Sequence, residues 1–193
     1  MTDLITVDTY KELEGISSTK EDTKLDIFVP AVSQLVKTYV GNSIIDFYTT
    51  NKVETFNIDW PTHIVQLTES PVNTVVSVET RDSFSQPYTT LTAAEDYYVD
   101  SPTDSIFRVS GTSYKNWDKG AGSVKVTYTA GYASCPLDLQ LAVSDLVTYY
   151  LRDEHKARQT LSGATRENAE TSLRNTPAFP DHIKRVLDLY KNF

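Results

Sequence analysis

Hydrophobic residues recur every three or four positions in three parts of the chain, which is the spacing of a helix with one buried face. The first part spans about residues 20–41, the second 135–156 and the third 179–193. In the first, the apolar positions are Leu25, Phe28, Val32, Leu35, Val36, Tyr39 and Val40. Pro30 interrupts that helix and predicts a kink or a later start. The pattern therefore predicts an N-terminal, a long central and a short C-terminal helix.

Between about residues 44 and 130 the hydrophobic period changes from helical spacing to two, the period of a strand with one buried face. The stretches with this pattern are rich in Val, Ile, Tyr, Phe and Thr, and cover residues 53–59, 63–69, 72–79, 96–100, 105–110 and 123–129. Pro, Gly, Asp and Ser separate them, and "DSPTDS" at 100–105 is typical of a hairpin turn. We expect an antiparallel β region with one buried face.

The stretch "VKVTYTAGYASCPLDLQLAV" takes the chain from the last of these strands into the central helix. Gly131 allows the backbone angle that turns the chain off the sheet. Ser134 or Cys135 can cap the helix, Pro136 suits its first turn, and Asp138 favours the positive end of the helix dipole. The stretch therefore predicts a strand-to-helix corner.

The same corner could be interpreted as a nucleophile elbow, with Ser134 or Cys135 attacking a carbonyl. It does not match G-x-S-x-G, and the β region lacks the alternating helices of a hydrolase sheet. Cys135 is the only cysteine, and His63, His155 and His182 lie far apart in the chain. No phosphate-binding glycine loop or metal-ligand spacing is present. The sequence predicts no catalytic residue, no cofactor and no metal.

Composition narrows the possible partners. The chain has 193 residues, 39% of them hydrophobic, and a net charge of −8. It has no apolar run long enough to cross a membrane, and its acidic N-terminus is unlike a secretion signal. Proteins that bind nucleic acid use Lys and Arg to neutralise the phosphates, so this net negative charge argues against a dedicated DNA-binding module. The 12 tyrosines suit either strands or interfaces, and the polar residues 156–176 predict a loop.

Several motifs occur in an order that resembles one known family. They are "LTESPVNTVVSVE", "EDYYVDSPTDSIFRV", "NWDKGAGSVKVTYTAGY", "CPLDLQLAVSDLVTYYLRDE" and "FPDHIKRVLDLYKNF", behind an N-terminal helix that ends near Gly41. This arrangement is similar to that of the head–tail adaptor, or connector, proteins of tailed bacteriophages. The resemblance covers about residues 20–193.

The resemblance implies a fold and a place in the virion. The fold is α+β, a helical bundle with an antiparallel β insertion, forming a single adaptor domain over residues 1–193. Copies assembled in the host cytoplasm would form a ring of about twelve at the head–tail interface, under the portal protein and above a tail or stopper protein. Double-stranded DNA would pass through the ring without specific binding. The C-terminal segment would face the portal, with a predicted interface of Phe179, Leu187, Tyr190 and Phe193.

Two alternatives to the adaptor hypothesis remain. One is a tail-completion or stopper protein, seated one layer lower in the same particle. The other is a hydrolase or a carbohydrate-binding module, in which Trp60, Trp117 and Tyr88 could supply aromatic contacts. The second alternative predicts a concave cluster of aromatic or carboxylate side chains.

Overall fold

A computed structural model of the chain describes residues 2–152 and 179–191. These residues form two compact units. The sheet unit is built mainly from Gly41–Ser134, and the helical unit from Asp3–Val40 and the described part of Cys135–Lys191. The prediction of a single domain over residues 1–193 stays a prediction.

The helical unit contains the helices found in the described residues. They are α1 (Val7–Glu14), α2 (Asp22–Val40), α3 (Leu137–Leu151) and α4 (Asp181–Asp188). α2 runs through Pro30 without ending there. Within residues 2–152 and 179–191, no helix has both the length and the apolar character needed to cross a membrane.

The apolar stripes of these helices form the core of the helical unit. Its buried side chains include Leu25, Val29, Val32, Val36, Leu139, Val143, Leu146, Val147, Ile183 and Leu187. Tyr10 of α1 is 1% exposed, and its hydroxyl lies 2.9 Å from that of Thr148 in α3. Helices as short as α1 and α4 are marginal alone in water, so their packing in this unit is what stabilises them.

The strands lie in the sheet unit and pair into two antiparallel sheets. They are β1 (Lys52–Ile58), β2 (Ile64–Gln66), β3 (Val72–Thr80), β4 (Thr89–Thr90), β5 (Tyr97–Asp100), β6 (Ser105–Ser110), β7 (Ser113–Tyr114) and β8 (Gly120–Ala130). The first sheet has the order β1-β8-β3-β4, and the second has the order β2-β6-β5, with β7 paired to β6. A 3-10 turn, Ser101–Thr103, joins β5 to β6 at the predicted hairpin.

One face of each sheet contributes to a shared core. Alternate residues of a strand point to opposite faces, and the buried positions alternate accordingly along β8 from Val124 to Ala130. The first sheet supplies Val78, Val124, Val126 and Tyr128, and the second supplies Val65, Tyr97 and Ile106, with Trp117 beside them. The sheet unit therefore has the layered core of a β-sandwich.

The prediction of a helical bundle with an antiparallel β insertion is wrong. The molecule is α+β, but the described residues hold four helices and also eight strands in two sheets, so the β part is a unit with its own core. The alternation of residues identified strands with a buried face. It could not show that the strands divide between two sheets, because pairing is set by contacts distant in sequence.

A partly buried ion cluster closes one end of the sandwich. The Lys52 ammonium lies 2.8 Å from a carboxylate oxygen of Glu54 and 2.8 Å from one of Glu69. Glu69 also accepts hydrogen bonds from the backbone N–H and the hydroxyl of Ser43, at 2.8 and 2.7 Å. Burial alone would raise the pKa of Glu54, but its hydrogen bonds, first that from Lys52, outweigh burial and lower it. The cluster fixes the start of the sheet unit to β1.

The strand-to-helix corner forms where it was predicted, with a different cap. Gly131 has φ +93°, a conformation that favours glycine. The N-cap position of α3 is Pro136, with no side-chain capping bond. Neither Ser134 nor Cys135 takes this position; instead the Gln140 side chain donates to the Cys135 carbonyl at 2.7 Å. The fixed φ of proline suits the start of a helix, which explains why a hydroxyl cap is dispensable here.

Candidate functional site

The outer face of the second sheet carries aromatic side chains that the sandwich core does not use. Phe107 of β6 pairs with Ile64 of β2 on one side and with Tyr98 of β5 on the other. These three residues lie on the face opposite the buried Val65 and Ile106, because side chains alternate along a strand. The row is therefore directed to solvent.

The rings in this row are held in fixed mutual positions. Tyr98 stacks on Phe107 with ring centroids 4.9 Å apart and planes 4° from parallel. Tyr114 of β7 lies 5.7 Å from Phe107 and 4.6 Å from His63. The Tyr98 and Tyr114 hydroxyls are 3.3 Å apart, and this hydrogen bond raises the pKa of Tyr98 to about 12. Together with Ile64, these four residues form what we call the aromatic surface.

The aromatic surface has the properties of a protein contact site. Tyr114 is 62% exposed, Ile64 39% and Tyr98 38%, so much of the apolar area is in water. Tyr and Phe are enriched at interface cores because they bury large areas with few rotatable bonds. Rings already stacked in the free protein lose little freedom on binding.

An anchor behind the sheet explains how this face is positioned. Arg108 follows Phe107 in β6 and points inward, where its side chain is 7% exposed and lies 3.0 Å from a carboxylate oxygen of Asp96. The same carboxylate accepts the Thr92 backbone N–H at 3.0 Å, and this bond, then Arg108, lowers the pKa of Asp96. Asp96 thus acts as a turn residue directly before β5.

A second exposed apolar surface lies in the helical unit, where the end of α4 meets the first turn of α3. The Tyr190 hydroxyl donates to Asp138 at 2.6 Å. Each of these two residues directly follows an exposed leucine in the sequence. Leu189, before Tyr190, is 77% exposed, and Leu137, before Asp138, is 82% exposed. Leu141, one turn further along α3, is 55% exposed. Leu137, Leu141 and Leu189 form the leucine surface.

The predicted portal residues occupy different environments. Phe179 is 6% exposed and packs on Tyr39, with ring centroids 4.6 Å apart. Leu187 is fully buried in the core of the helical unit. Tyr190 is half-buried at the end of α4. Phe193 lies outside the described residues.

Tyr39 holds α4 in place through its hydroxyl and its ring. The hydroxyl donates to Asp188 at 2.7 Å, and the Lys191 ammonium lies 4.0 Å from the ring centroid. The bond from Tyr39 is the main cause that lowers the pKa of Asp188, and contact with Tyr39 likewise raises that of Lys191. The C-terminal helix is thus docked on α2 by apolar and polar contacts together.

Sequence reasoning missed Leu137, Leu189 and the row through Phe107. A signal for the leucines exists, because both are apolar residues placed off the buried stripe of their helix. Phe107 and Tyr98 are likewise apolar on the strand face opposite the core. Large apolar residues on the face that should be polar are informative only when they cluster, and clustering requires the pairing of strands.

The structure gives little support to catalytic chemistry. Burial, and then the charge of Asp138, raises the pKa of the Cys135 thiol to about 12, which disfavours the thiolate that a nucleophile needs. Trp117 is buried in the sandwich core while Trp60 is 75% exposed, so the indoles do not share one ligand face. Across residues 2–152 and 179–191, no group of three or more His, Cys, Asp or Glu could hold a metal ion.

Comparisons with known proteins point to one family. A family model described as head completion protein matches residues 3–193. The head completion protein of Escherichia phage T5 is 22% identical over 139 residues, which cover 62% of this chain and 79% of that protein. The predicted resemblance to head–tail adaptor proteins is thereby confirmed.

Solved structures with a similar fold come from gene transfer agent (GTA) particles. The neck of an empty GTA particle, computed with C6 symmetry, has a TM-score of 0.60 at 16% identity, over 98% of this chain and 90% of that one. The neck of a native GTA particle, computed with C12 symmetry, has a TM-score of 0.55 at 16% identity, over 100% and 94%. A native GTA virion has a TM-score of 0.58 at 17% identity, over 100% and 95%. At these identities the likeness shows the fold.

Proposed function

Because the chain belongs to the head completion protein family and is a structural protein that connects a phage head to its tail, we propose that it works as a ring of copies between the portal protein and the first tail component. The family match over residues 3–193 is the observation that carries this proposal. The family consists of structural virion proteins, and in our proposal the chain acts without catalysis.

A ring of about twelve copies is supported by the solved neighbours. The two neck structures described above were computed with cyclic symmetry, C6 and C12. Copies in a cyclic ring meet head to tail, so each needs two different contact surfaces. The aromatic surface is suited to be one of them, since it is apolar, exposed and rigid.

On the portal side we propose the C-terminal segment, with its residues in divided roles. Phe179 and Leu187 would hold α4 on the helical unit, since both are buried there. Leu189 and Tyr190, at the exposed end of α4, would contact the portal together with the rest of the leucine surface. A predicted contact of Phe193 remains part of this proposal.

The charge of the chain suits a channel component. With a net charge of −8 per copy, a ring of such subunits repels duplex DNA and offers it few cations to bind. Packaged DNA would therefore pass through the ring without specific binding. The tail or stopper protein would bind the surface of the ring that faces away from the portal.

Particle assembly in the absence of the protein tests the proposal. Heads produced without it should carry DNA but no tails, and adding the purified protein together with tails should restore joining. Electron microscopy of the mixtures counts tailed particles. Tailed particles at normal yield without the protein would refute the function.

A pair of variants tests the portal contact. Leu137→Ser with Leu189→Ser should abolish binding to heads, because it removes two of the most exposed apolar side chains of the leucine surface. The control is Leu13→Ser, which changes a 49% exposed leucine of α1 in the same unit and should bind heads normally. Unimpaired head binding by the double variant would contradict the assignment of this surface.

A further inference from the structure

The loop between β3 and β4 presents one aromatic ring to solvent. Phe84, in the segment Arg81–Tyr88, is 75% exposed. The Arg81 guanidinium lies 4.3 Å from the Phe84 ring centroid and 4.6 Å from that of Tyr88. Arg81 thus makes a cation–π contact with each of the two rings, and its contact with Phe84 helps to hold that ring in place. We call this segment the knob.

Hydrogen bonds to β8 make the knob rigid. Arg81 Nε and the Tyr88 hydroxyl both donate to the Gly122 carbonyl, at 2.9 and 2.7 Å. Gly122 has φ +57°, and a Cβ there would lie 2.7 Å from Nη2 of Arg81. The positive φ favours glycine here, and a side chain at this position would displace the guanidinium from its place across the strand. Because the loop already holds the exposed phenyl ring in place, the ring would lose little conformational entropy on binding another protein surface.

A groove elsewhere on the sheet unit matches the knob in size and character. It has a volume of about 360 Å³, and its lining includes Val72, Val75, Ala93, Ala94, Tyr98 and Val99. A cavity of roughly 150 Å³ is enough to hold a benzene ring, so the groove can accept the phenyl ring of Phe84. Tyr98 also belongs to the aromatic surface, which makes the two surfaces continuous.

The knob and the groove lie at opposite ends of β3. The groove is lined by Val72 and Val75 near the start of the strand, while Arg81 directly follows its end at Thr80. Arg81 lies six positions after Val75 in the chain, which at the rise of an extended strand is about 20 Å. One copy cannot fill its own groove. Two copies can meet with the knob of one in the groove of the next.

The charges beside the two features are complementary. The groove-lining segment 93–101 contains Glu95 and Asp100 and no Lys or Arg. Its third acid, Asp96, is already paired with Arg108 and adds no free charge to this surface. The knob brings the Arg81 guanidinium along with the Phe84 ring. Since copies of a chain with net charge −8 repel each other, a cation placed against an acidic segment favours this mutual orientation.

We propose that Phe84 of one copy inserts into the groove of the neighbouring copy, and that this contact joins subunits around the ring. The contact is heterologous, with different surfaces on the two copies, as a cyclic ring requires. It rests on the proposed ring and adds to it the residues that form the subunit interface.

Cysteine cross-linking in assembled particles tests the contact. Phe84→Cys combined with Ala93→Cys should give a ladder of disulfide-linked oligomers on a non-reducing gel, because the two sites are too distant to bridge within one copy. The native Cys135 is buried, and its raised pKa keeps it out of the reaction. The matched control pairs Trp60→Cys, a site as exposed as Phe84, with Ala93→Cys and should give no ladder.

Two single variants test the same contact without cysteine chemistry. Phe84→Ala removes the ring, and Ala93→Trp fills the groove; each should lower the yield of tailed particles about tenfold or more. Trp60→Ala should leave the yield within about twofold of the unaltered protein. Phe84 and Ala93 are both exposed, so the thermal unfolding midpoints of their variants should be close to that of the unaltered protein.

The outcomes separate this inference from the proposed function. If the unaltered protein restores tailed particles but the Phe84–Ala93 pair gives no ladder, or gives no more than the Trp60 control, the contact is refuted while the function stands. Normal yields with both Phe84→Ala and Ala93→Trp would refute it as well. If the unaltered protein does not restore tails, the proposed function itself fails.

Discussion

Replacing Gly131 with alanine should destabilise the sheet unit severely. Gly131 has φ +93°, and a Cβ at this position would lie 2.3 Å from the carbonyl oxygen of Ile44. The backbone here cannot move freely, since Gly131 N–H donates to Pro71 O at 2.8 Å and Tyr132 N–H donates to the same Ile44 oxygen at 2.8 Å. The new methyl group therefore meets fixed backbone.

The size of the effect follows from two costs. A non-glycine residue in a sparsely populated backbone region costs about 1–3 kcal/mol. Forcing an extra methyl into packed atoms costs about 1–3 kcal/mol more. The sum, about 2–6 kcal/mol, is a large part of the roughly 5–15 kcal/mol that stabilises a typical domain. Gly111→Ala separates the two costs, because Gly111 has φ +64° but a Cβ there would meet no atom within 4 Å.

Urea unfolding followed by tryptophan fluorescence measures this difference. Both tryptophans, Trp60 and Trp117, lie in the sheet unit, and Trp117 is buried in its core. The signal thus reports the unit that contains both glycines. Gly131→Ala should lower the free energy of unfolding by at least about 1 kcal/mol more than Gly111→Ala does. Equal losses in the two variants would refute the steric argument at Ile44.

Three further predictions concern other contacts. Leu146→Ala, at a fully buried position of α3, should cost about 2–5 kcal/mol, whereas Leu141→Ala in the same helix, at 55% exposure, should cost little; thermal unfolding compares them. Tyr190→Phe removes the hydrogen bond to Asp138 and should cost about 1 kcal/mol or less, seen as faster amide exchange in α4 but not in the middle of α3. The lowered pKa of Glu54 means that its ionised form adds stability above its ordinary value of 4.5, and that this stability is lost as the pH falls through the lowered value. Between pH 6 and pH 3 the protein should therefore lose more stability than its Glu54→Gln variant, and parallel losses would show that the carboxylate contributes nothing.

Three of the helices, the longer strands and the corner between them follow from local sequence, whereas α1, β4 and β7 were not predicted. Apolar spacing of three and four residues placed the stripes that α2 and α3 bury, because a helix of that period has one continuous face. Strict alternation did the same for β8 between Val124 and Ala130. A glycine followed by a proline marked the turn at Gly131, since few other residues tolerate its φ.

The division into two sheets was decided by tertiary contacts. β8 pairs with β1 through Lys52 and Tyr128, and with β3 through Val78 and Val126. Nothing near Tyr128 in the chain specifies Lys52 as its partner, because the pairing depends on which arrangement buries the most apolar surface. The residue pattern therefore could not correct the helical bundle with a β insertion that the family resemblance implied, and the structure has a sandwich with its own core.

The candidate surfaces show the same limit. An amphipathic stripe shows that residues such as Phe179 and Leu187 are buried against something, but the pattern is identical whether the neighbour is another helix of the chain or another protein. The fold places both against the core of the helical unit and leaves Leu137, Leu189 and Phe84 in solvent. Burial is a property of the assembled chain, so only tertiary structure could distinguish the residues that hold this protein together from those left to bind its neighbours.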